Sequence, residues 1–367
     1  MIYLDNNATT AIDPIVLKAM QDTYALGPLN PSAIHQQGKR GKEIILSMRD
    51  AIATYFKMHS NEIYFTSSST EALSTLIRGF VKVKGVPRIL STKIEHNAID
   101  SLLKNLIIEG VPVDYIPIDA SGAPKLTDLI TTIHPSTELV ILSSVYSETG
   151  TMPDLEAIAQ YLYEKKIPLL VDATAHIGKA PFVVYKGISA FCASAHKFHG
   201  PQGIGLMVAR SNFPFSPLLV GGHQEMHKRA GTENVAGIVG LAKALELIKP
   251  THFEQMRSLK EQLKEHLIPF GMINGQGKTI SNTLNIAFEN FDAESLMIRL
   301  DQKGVFASMG SACSSGSIEP SRILLEMGLS RIIARSSLRF SLSRMTTAEE
   351  IERAALLIKE ELCGCAL

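Results

Sequence analysis

An α/β fold built on a mainly parallel sheet is predicted for this chain of 367 residues. From residue 61 to about residue 210, short apolar runs alternate with amphipathic helical stretches, the pattern of strands joined by crossover helices. Residues that carry chemistry gather just beyond the apolar runs, where open parallel sheets bind their ligands.

The elements follow in order. Asp13-Pro14 caps and opens a helix whose apolar positions Val16, Leu17, Met20 and Tyr24 recur at helical spacing, and Gly27 ends it. Seven strand candidates follow, at 63–65, 88–90, 113–116, 139–142, 169–171, 190–193 and 204–208. They predict a seven-stranded sheet. Beyond about residue 250 a long helical stretch precedes another strand candidate at 281–288. Together with the N-terminal dozen residues it reads as a smaller α+β domain. The expected division is a large domain over 13–251 and a small one from 1–12 and 252–367. There is no internal repeat and no low-complexity segment.

Composition narrows the function classes. Lys+Arg 36 against Asp+Glu 36 leaves no electrostatic footprint for nucleic acid or an anionic membrane. No apolar run approaches the ~20 residues of a membrane span, and Met1 leads directly into Ile2-Tyr3-Leu4-Asp5 without a signal-like core. Four cysteines, Cys192, Cys313, Cys363 and Cys365, do not form a disulfide framework in a chain this long. A cytoplasmic protein is expected.

Ser194-Ala195-His196-Lys197-Phe198-His199-Gly200-Pro201 is the most informative stretch. It follows one predicted strand, and Asp172 closes another. A lysine placed there can hold an aldehyde cofactor as a Schiff base, while the carboxylate steadies a protonated pyridine nitrogen. That is the chemistry of pyridoxal phosphate. Thr66-Ser67-Ser68-Ser69-Thr70 lies between a strand and the start of a helix near Glu71, so unpaired N–H groups and hydroxyls converge as they would on a phosphate. The same residues also suit a plain helix cap. Ser194 and His196 can add donors, and Gly231-Thr232 is a further candidate that could arrive from a second subunit.

One reactive side chain, Cys313, stands among small residues in Gly310-Ser311-Ala312-Cys313-Ser314-Ser315-Gly316-Ser317, a loop expected to be exposed and mobile. Such a thiol suits a nucleophile that collects a group at one place and delivers it at another, or is an incidental exposed cysteine. Ser336 to Ser341 alternates like a strand and carries Arg339, which can bind a carboxylate bidentately or simply lie at the surface. Cys192 reads as a small core hydrophobe.

Taken together these motifs resemble the class V aminotransferase group, and within it the NifS/IscS-type cysteine desulfurases. The resemblance runs from Tyr3-Leu4-Asp5-Asn6-Asn7-Ala8-Thr9-Thr10 to Arg339-Phe340-Ser341-Leu342. It takes in Asn30-Pro31-Ser32, Glu95-His96, Val171-Asp172-Ala173-Thr174, Ala230-Gly231-Thr232-Glu233-Asn234 and Ser311-Ala312-Cys313. The 311–320 segment looks like the longer cysteine loop of the first desulfurase subgroup. The resemblance implies fold-type I pyridoxal phosphate architecture, a homodimer with active sites at the interface, and conversion of L-cysteine to L-alanine. The sulfur would pass through a Cys313 persulfide to an acceptor or an iron–sulfur scaffold protein. It further implies Lys197 as the Schiff-base lysine, Asp172 on the pyridine nitrogen and His96 over the ring. The phosphate would be held by Ser69, Thr70, Ser194, His196 and the partner-contributed Thr232. Arg339, with Asn30 as a weaker candidate, would bind the substrate carboxylate.

Two positions depart from the family pattern. Ser147, in Tyr146-Ser147-Glu148-Thr149-Gly150, stands where the family usually has the second Asn, and Ala175 stands where it has Gln. Both usual donors to the cofactor's phenolic oxygen are therefore altered. Losing a hydrogen bond to a charged oxygen costs about 1.5–3 kcal/mol unless Ser147, Tyr146, His176 or water replaces it. The altered edge keeps open a selenocysteine lyase or a related β-elimination enzyme, and a weakly active sulfur-pathway protein. The terminal Cys363 and Cys365 read as exposed thiols that could also relay sulfur or bind metal.

Overall fold

The computed structural model describes residues 1–310 and 319–364. Its strands are β1 (Ile2–Tyr3), β2 (Ile63–Thr66), β3 (Arg88–Thr92), β4 (Val113–Ile116), β5 (Thr137–Ser143), β6 (Leu169–Asp172), β7 (Ile188–Ser194), β8 (Gly205–Ala209), β9 (Met272–Ile273), β10 (Thr283–Ala287), β11 (Val305–Phe306) and β12 (Ser337–Ser341). Seven of them form one sheet in the order β2-β8-β7-β6-β5-β3-β4. β8 runs antiparallel to both its neighbours, and every other pairing is parallel. The mainly parallel seven-stranded sheet expected above is therefore the sheet that forms.

Helices cover both faces. They are α1 (Pro14–Ala25), α2 (Gln36–Phe56), α3 (Ser69–Lys84), α4 (Asn97–Ile108), α5 (Leu126–Thr132), α6 (Leu155–Glu164), α7 (Val235–Glu246), α8 (Pro250–Leu267), α9 (Ala293–Gln302), α10 (Arg322–Glu326), α11 (Arg331–Arg335) and α12 (Ala348–Gly364). Successive strand residues face opposite layers, so alternate positions enter different cores. Val140, Leu142, Val171, Phe191 and Ala193 pack with α2, α6 and α7. Leu139, Ile141, Leu170, Ala190 and Cys192 pack with α3 and α4. Burial on both faces explains why these strands read as unbroken apolar runs. Cys192 is fully buried, as a core cysteine should be. Helix α2 is not among the elements expected above. Two glycines, Gly38 and Gly41, interrupt its pattern because the preceding loop at Ala33 and Leu29 lies directly against them.

A second core joins the far end of the chain to its start. Ile2 and Leu4 pack with Leu284, Ile286, Leu338 and Phe340 of the three-stranded β12-β10-β9 sheet and with α8, α9 and α12. β1 pairs with β11, so the first residues belong to this core. The chain then crosses the cavity end of the large sheet. Thr10 donates both its N–H and its hydroxyl to the His196 carbonyl, and Asp13 pairs with Arg344.

Gly205 opens β8 where it passes the start of α3. A Cβ there would lie 2.5 Å from the Ser68 carbonyl carbon and 2.7 Å from its Cα. Gly205→Ala should therefore push the Ser68–Thr70 backbone. The expected cost is about 1–3 kcal/mol in urea unfolding, with weakened retention of a phosphate ligand measured by equilibrium dialysis.

Candidate active site

At the carboxyl ends of β5, β6 and β7 lies a cavity of about 160 Å³, lined among others by Asn7, Ser69, Thr70, His96, Asp172 and Lys197. Ser147, Thr174, Ala175, Ser194 and His196 also line it. The sheet itself assembles the floor. Ser143, Asp172 and Cys192 are in register across β5, β6 and β7, and Lys197 follows β7 in a single turn.

Lys197 donates to the carbonyls of Asn7 at 2.6 Å and Ala8 at 2.8 Å. Burial, and then the nearby Arg339 charge, bring its pKa down to about 8, against the opposing pull of Asp172 and Asp5. An amine titrating there is partly neutral at physiological pH and can attack a carbonyl. Asp172 is buried and held by the Thr174 N–H at 2.9 Å.

The helix-cap reading is realised at Ser68, and the next two residues, Ser69 and Thr70, line the cavity. Ser68 is the N-cap of α3, its hydroxyl accepting from the Glu71 N–H at 3.2 Å. The helix thus starts two residues before the predicted Glu71, because the cap is the third serine-type residue of the run and not the last. Ser69 offers its N–H to the Ser194 hydroxyl at 2.7 Å, and that hydroxyl lies 2.9 Å from Ser69 Oγ. His196 sits with Nδ1 at 3.0 Å from the Thr9 hydroxyl and with its pKa lowered to about 4, first by burial and then by Lys197 and Lys179. Among the described residues the buried Thr174 hydroxyl has no hydrogen-bond partner. This donor set suits an anionic, carbonyl-bearing ring compound, and pyridoxal phosphate fits it.

His96 is the N-cap of α4, its Nδ1 accepting from the Ala98 N–H at 3.1 Å. Burial lowers its pKa, so the ring is neutral with the proton on Nε2. Arg339, on β12, lies outside the cavity lining and behind Ser147 of its wall. One arm pairs with Asp5 at 2.7 Å, another reaches the Ser147 carbonyl at 3.4 Å, and the buried Nε has no partner among the described residues.

The structure does not bring every candidate to the cavity. Asn30 is exposed and accepts from the Ser32 N–H, so its side chain serves its own turn. Thr232 is exposed on a loop outside the lining of this chain's cavity. That loop is tied to the cradle helix by Arg229 and Glu71 at 2.8 Å. Cys313 and Cys365 lie outside the described residues, and Cys363 is exposed. Of the groups proposed to replace the altered donors, two point elsewhere. His176 Nε2 lies 3.1 Å from the Pro181 carbonyl, and its ring packs edge-on to Phe182. The Tyr146 hydroxyl is committed to Glu95 at 3.1 Å. Ser147 and water remain.

Three residues not singled out for the site border it. Asn7 and Asp5 hold Lys197 and Arg339, and Ile323 forms part of the wall. The signal for Asp5 and Asn7 was the polar run from Asp5 to Thr10, which has no apolar period to explain it.

The aminotransferase class-V family model matches residues 2–354. The chain belongs to this family. A class-V protein named cysteine desulfurase from Nostoc sp. (strain PCC 7120) is 38% identical over 369 residues, covering 98% of this chain and 92% of that one. The cysteine desulfurase IscS of Methanosarcina thermophila is 37% identical, covering 98% and 91%. A solved structure titled NifS-like protein superposes with a TM-score of 0.92 at 32% identity, covering 99% of each chain. The α/β architecture is thus that of the NifS-like class-V proteins.

The Lys197 environment yields a pH prediction. Only the neutral amine captures an aldehyde, so covalent capture of pyridoxal phosphate by the apoprotein should accelerate up to a pH of about 8 and level off above it. Arg339→Gln removes a charge that lowers this pKa and should move the midpoint up. Asp172→Asn should move it down. Stopped-flow absorbance against pH reads all three.

Proposed function

We propose that this class-V protein is a pyridoxal phosphate-dependent cysteine desulfurase that converts L-cysteine to L-alanine and delivers the sulfur through Cys313. One observation carries the reading: Lys197 and Asp172 line one cavity together with Ser69 and Thr70 at the hydroxyl-rich start of α3. Lys197 would hold the cofactor, Asp172 its ring nitrogen, and Ser69, Thr70, Ser194 and His196 its phosphate. When bound, pyridoxal phosphate draws electron density from the substrate Cα and Cβ.

The chain's own groups do the rest. Arg339, anchored by Asp5 and with Nε to spare among the described residues, receives the substrate carboxylate. Lys197 would move the Cα proton, and His96, neutral and carrying its proton on Nε2, would give a proton to the substrate carbon. The Cys313 thiolate attacks the substrate sulfur. The new S–S bond forms as the Cβ–S bond breaks, its electron pair stays with Cβ, and a proton completes alanine. The thiol becomes a persulfide, so atoms and charges balance without any external oxidant.

We also infer a cytoplasmic homodimer in which Thr232 enters the partner's phosphate site. The exposed Leu218, Leu219 and Val220 next to that loop support an interface there. No helix among the described residues is long and apolar enough to cross a membrane. The persulfide would pass to an acceptor or iron–sulfur scaffold protein.

Loaded protein should release alanine and, with reductant, sulfide from L-cysteine. Lys197→Ala and Cys313→Ala should each lower alanine formation by at least ~10²-fold. A Cys313→Ala protein that still releases sulfide at the parent rate, with pyruvate and ammonia in place of alanine, would point instead to elimination without a protein thiol.

A further inference from the structure

Glu95, immediately before His96 and fully buried, takes part in no ion pair among the described residues. Its carboxylate is instead filled by four donors. Oε1 accepts from Thr92 Oγ1 at 2.9 Å and Tyr146 Oη at 3.1 Å, and Oε2 accepts from the Ser143 N–H at 3.0 Å and Ser143 Oγ at 2.5 Å. Ser143 and Tyr146 also line the cavity, and Ser143 is the register partner of Asp172 across β5 and β6. A buried carboxylate surrounded by hydroxyls and wired to the cavity wall is in proton contact with the site although it does not touch it.

We propose that Glu95 is a second ionisable carboxyl of this site, exchanging a proton with the cavity through the Ser143 hydroxyl and so setting the negative charge behind Asp172. The exchange is balanced. Ser143 passes its hydroxyl proton to Oε2 and takes one from water in the cavity, so the net change is one proton on Glu95. The short Ser143–Glu95 contact is the place where this transfer occurs.

The surroundings fix its direction. Burial raises the Glu95 pKa to about 7, the hydroxyls of Ser143 and Thr92 oppose this, the like charge of Asp172 adds to it, and Tyr146 opposes it weakly. The other charged groups nearby are engaged elsewhere. Arg322 donates to the Glu95 and Lys93 carbonyls and lies 3.6 Å from Asp100, and Asp100 also pairs with Lys104 at 2.8 Å. The neutral His96 faces the cavity from the next position. Glu95 is therefore neutral on the acid side of about pH 7 and charged on the alkaline side. Two consequences follow, the second resting on the cofactor reading above. First, removing the Tyr146 hydroxyl raises the titration midpoint, because that hydroxyl favours the ionised form. Second, a protonated ring nitrogen held at Asp172 lowers the midpoint, and by linkage ionised Glu95 strengthens the ring's hold on its proton. Glu95 is thus a positioning residue for charge, acting through Asp172.

The test is infrared difference spectroscopy of the carboxylic-acid C=O stretch in apoprotein, titrated between pH ~5 and ~9. A buried acid band is expected to disappear with a midpoint near neutrality and to be absent from Glu95→Gln. Tyr146→Phe, which keeps the ring in place, should shift the midpoint up. It also serves if Glu95→Gln does not fold. No such band in the parent protein, a band unchanged by Glu95→Gln, or a midpoint that Tyr146→Phe leaves in place would each overturn the proposal. Because the apoprotein is used, these outcomes stand apart from the cofactor reading. Pyridoxal phosphate loading should then lower the midpoint. A midpoint that falls with the Tyr146→Phe shift intact supports both readings, and one that does not fall overturns only the link through Asp172.

Discussion

Every polar group of Asn7 is used, and the cavity exists because of it. Its carbonyl accepts from Lys197, its N–H donates to the Ser341 hydroxyl, and its side-chain amide donates to the Ser147 carbonyl and Thr283 Oγ1. Its side-chain oxygen accepts from Asn282. A single buried residue thereby ties the lysine turn after β7 through its carbonyl, and the wall after β5 and the edge of the second core through its side chain. Leaving any of these groups unpaired in a buried place would cost about 1–3 kcal/mol, so the cluster tolerates little rearrangement. Lys197, Arg339 and Ser147 keep their relative positions because they share this anchor and its neighbour Asp5.

Charge in the site is arranged by the same economy of contacts. Lys197 and Asp172 line the cavity, Arg339 pairs with Asp5 beside it, and Lys179 and Glu95 are buried nearby. Lys179 is fully buried with no partner for its amine among the described residues, and burial holds its pKa well below the usual lysine range. Burial, with nearby cations as a smaller cause, lowers the pKa values of the histidines His96, His196 and His199.

The central sheet was legible because its strands are buried on both faces and so read as apolar runs without interruption. Lys197, Asp172 and Ser194 were legible because each terminates such a run. What escaped was set by partners far away in the chain. Nothing near Arg339 announces Asp5, and nothing near Tyr146 announces that its hydroxyl belongs to Glu95 and not to the cavity. The start of α3 was misjudged by two residues because several consecutive hydroxyl residues can each serve as its cap, and only the approach of β8 at Gly205 selects Ser68. The role of Thr232 was drawn from resemblance, and no periodicity in its loop could have supplied it.

The strap formed by residues 2–13 has a consequence for how the molecule is born. Asn6 and Asn7 bond to Ser341 across sequence separations of 335 and 334 residues. A ribosome emits the strap long before its partner strand, at roughly 5–20 residues per second. For most of that interval the large sheet can form while the lysine turn has no roof. The nascent chain therefore has a protein core well before it has a working pocket, and completion of β12 is the event that turns one into the other.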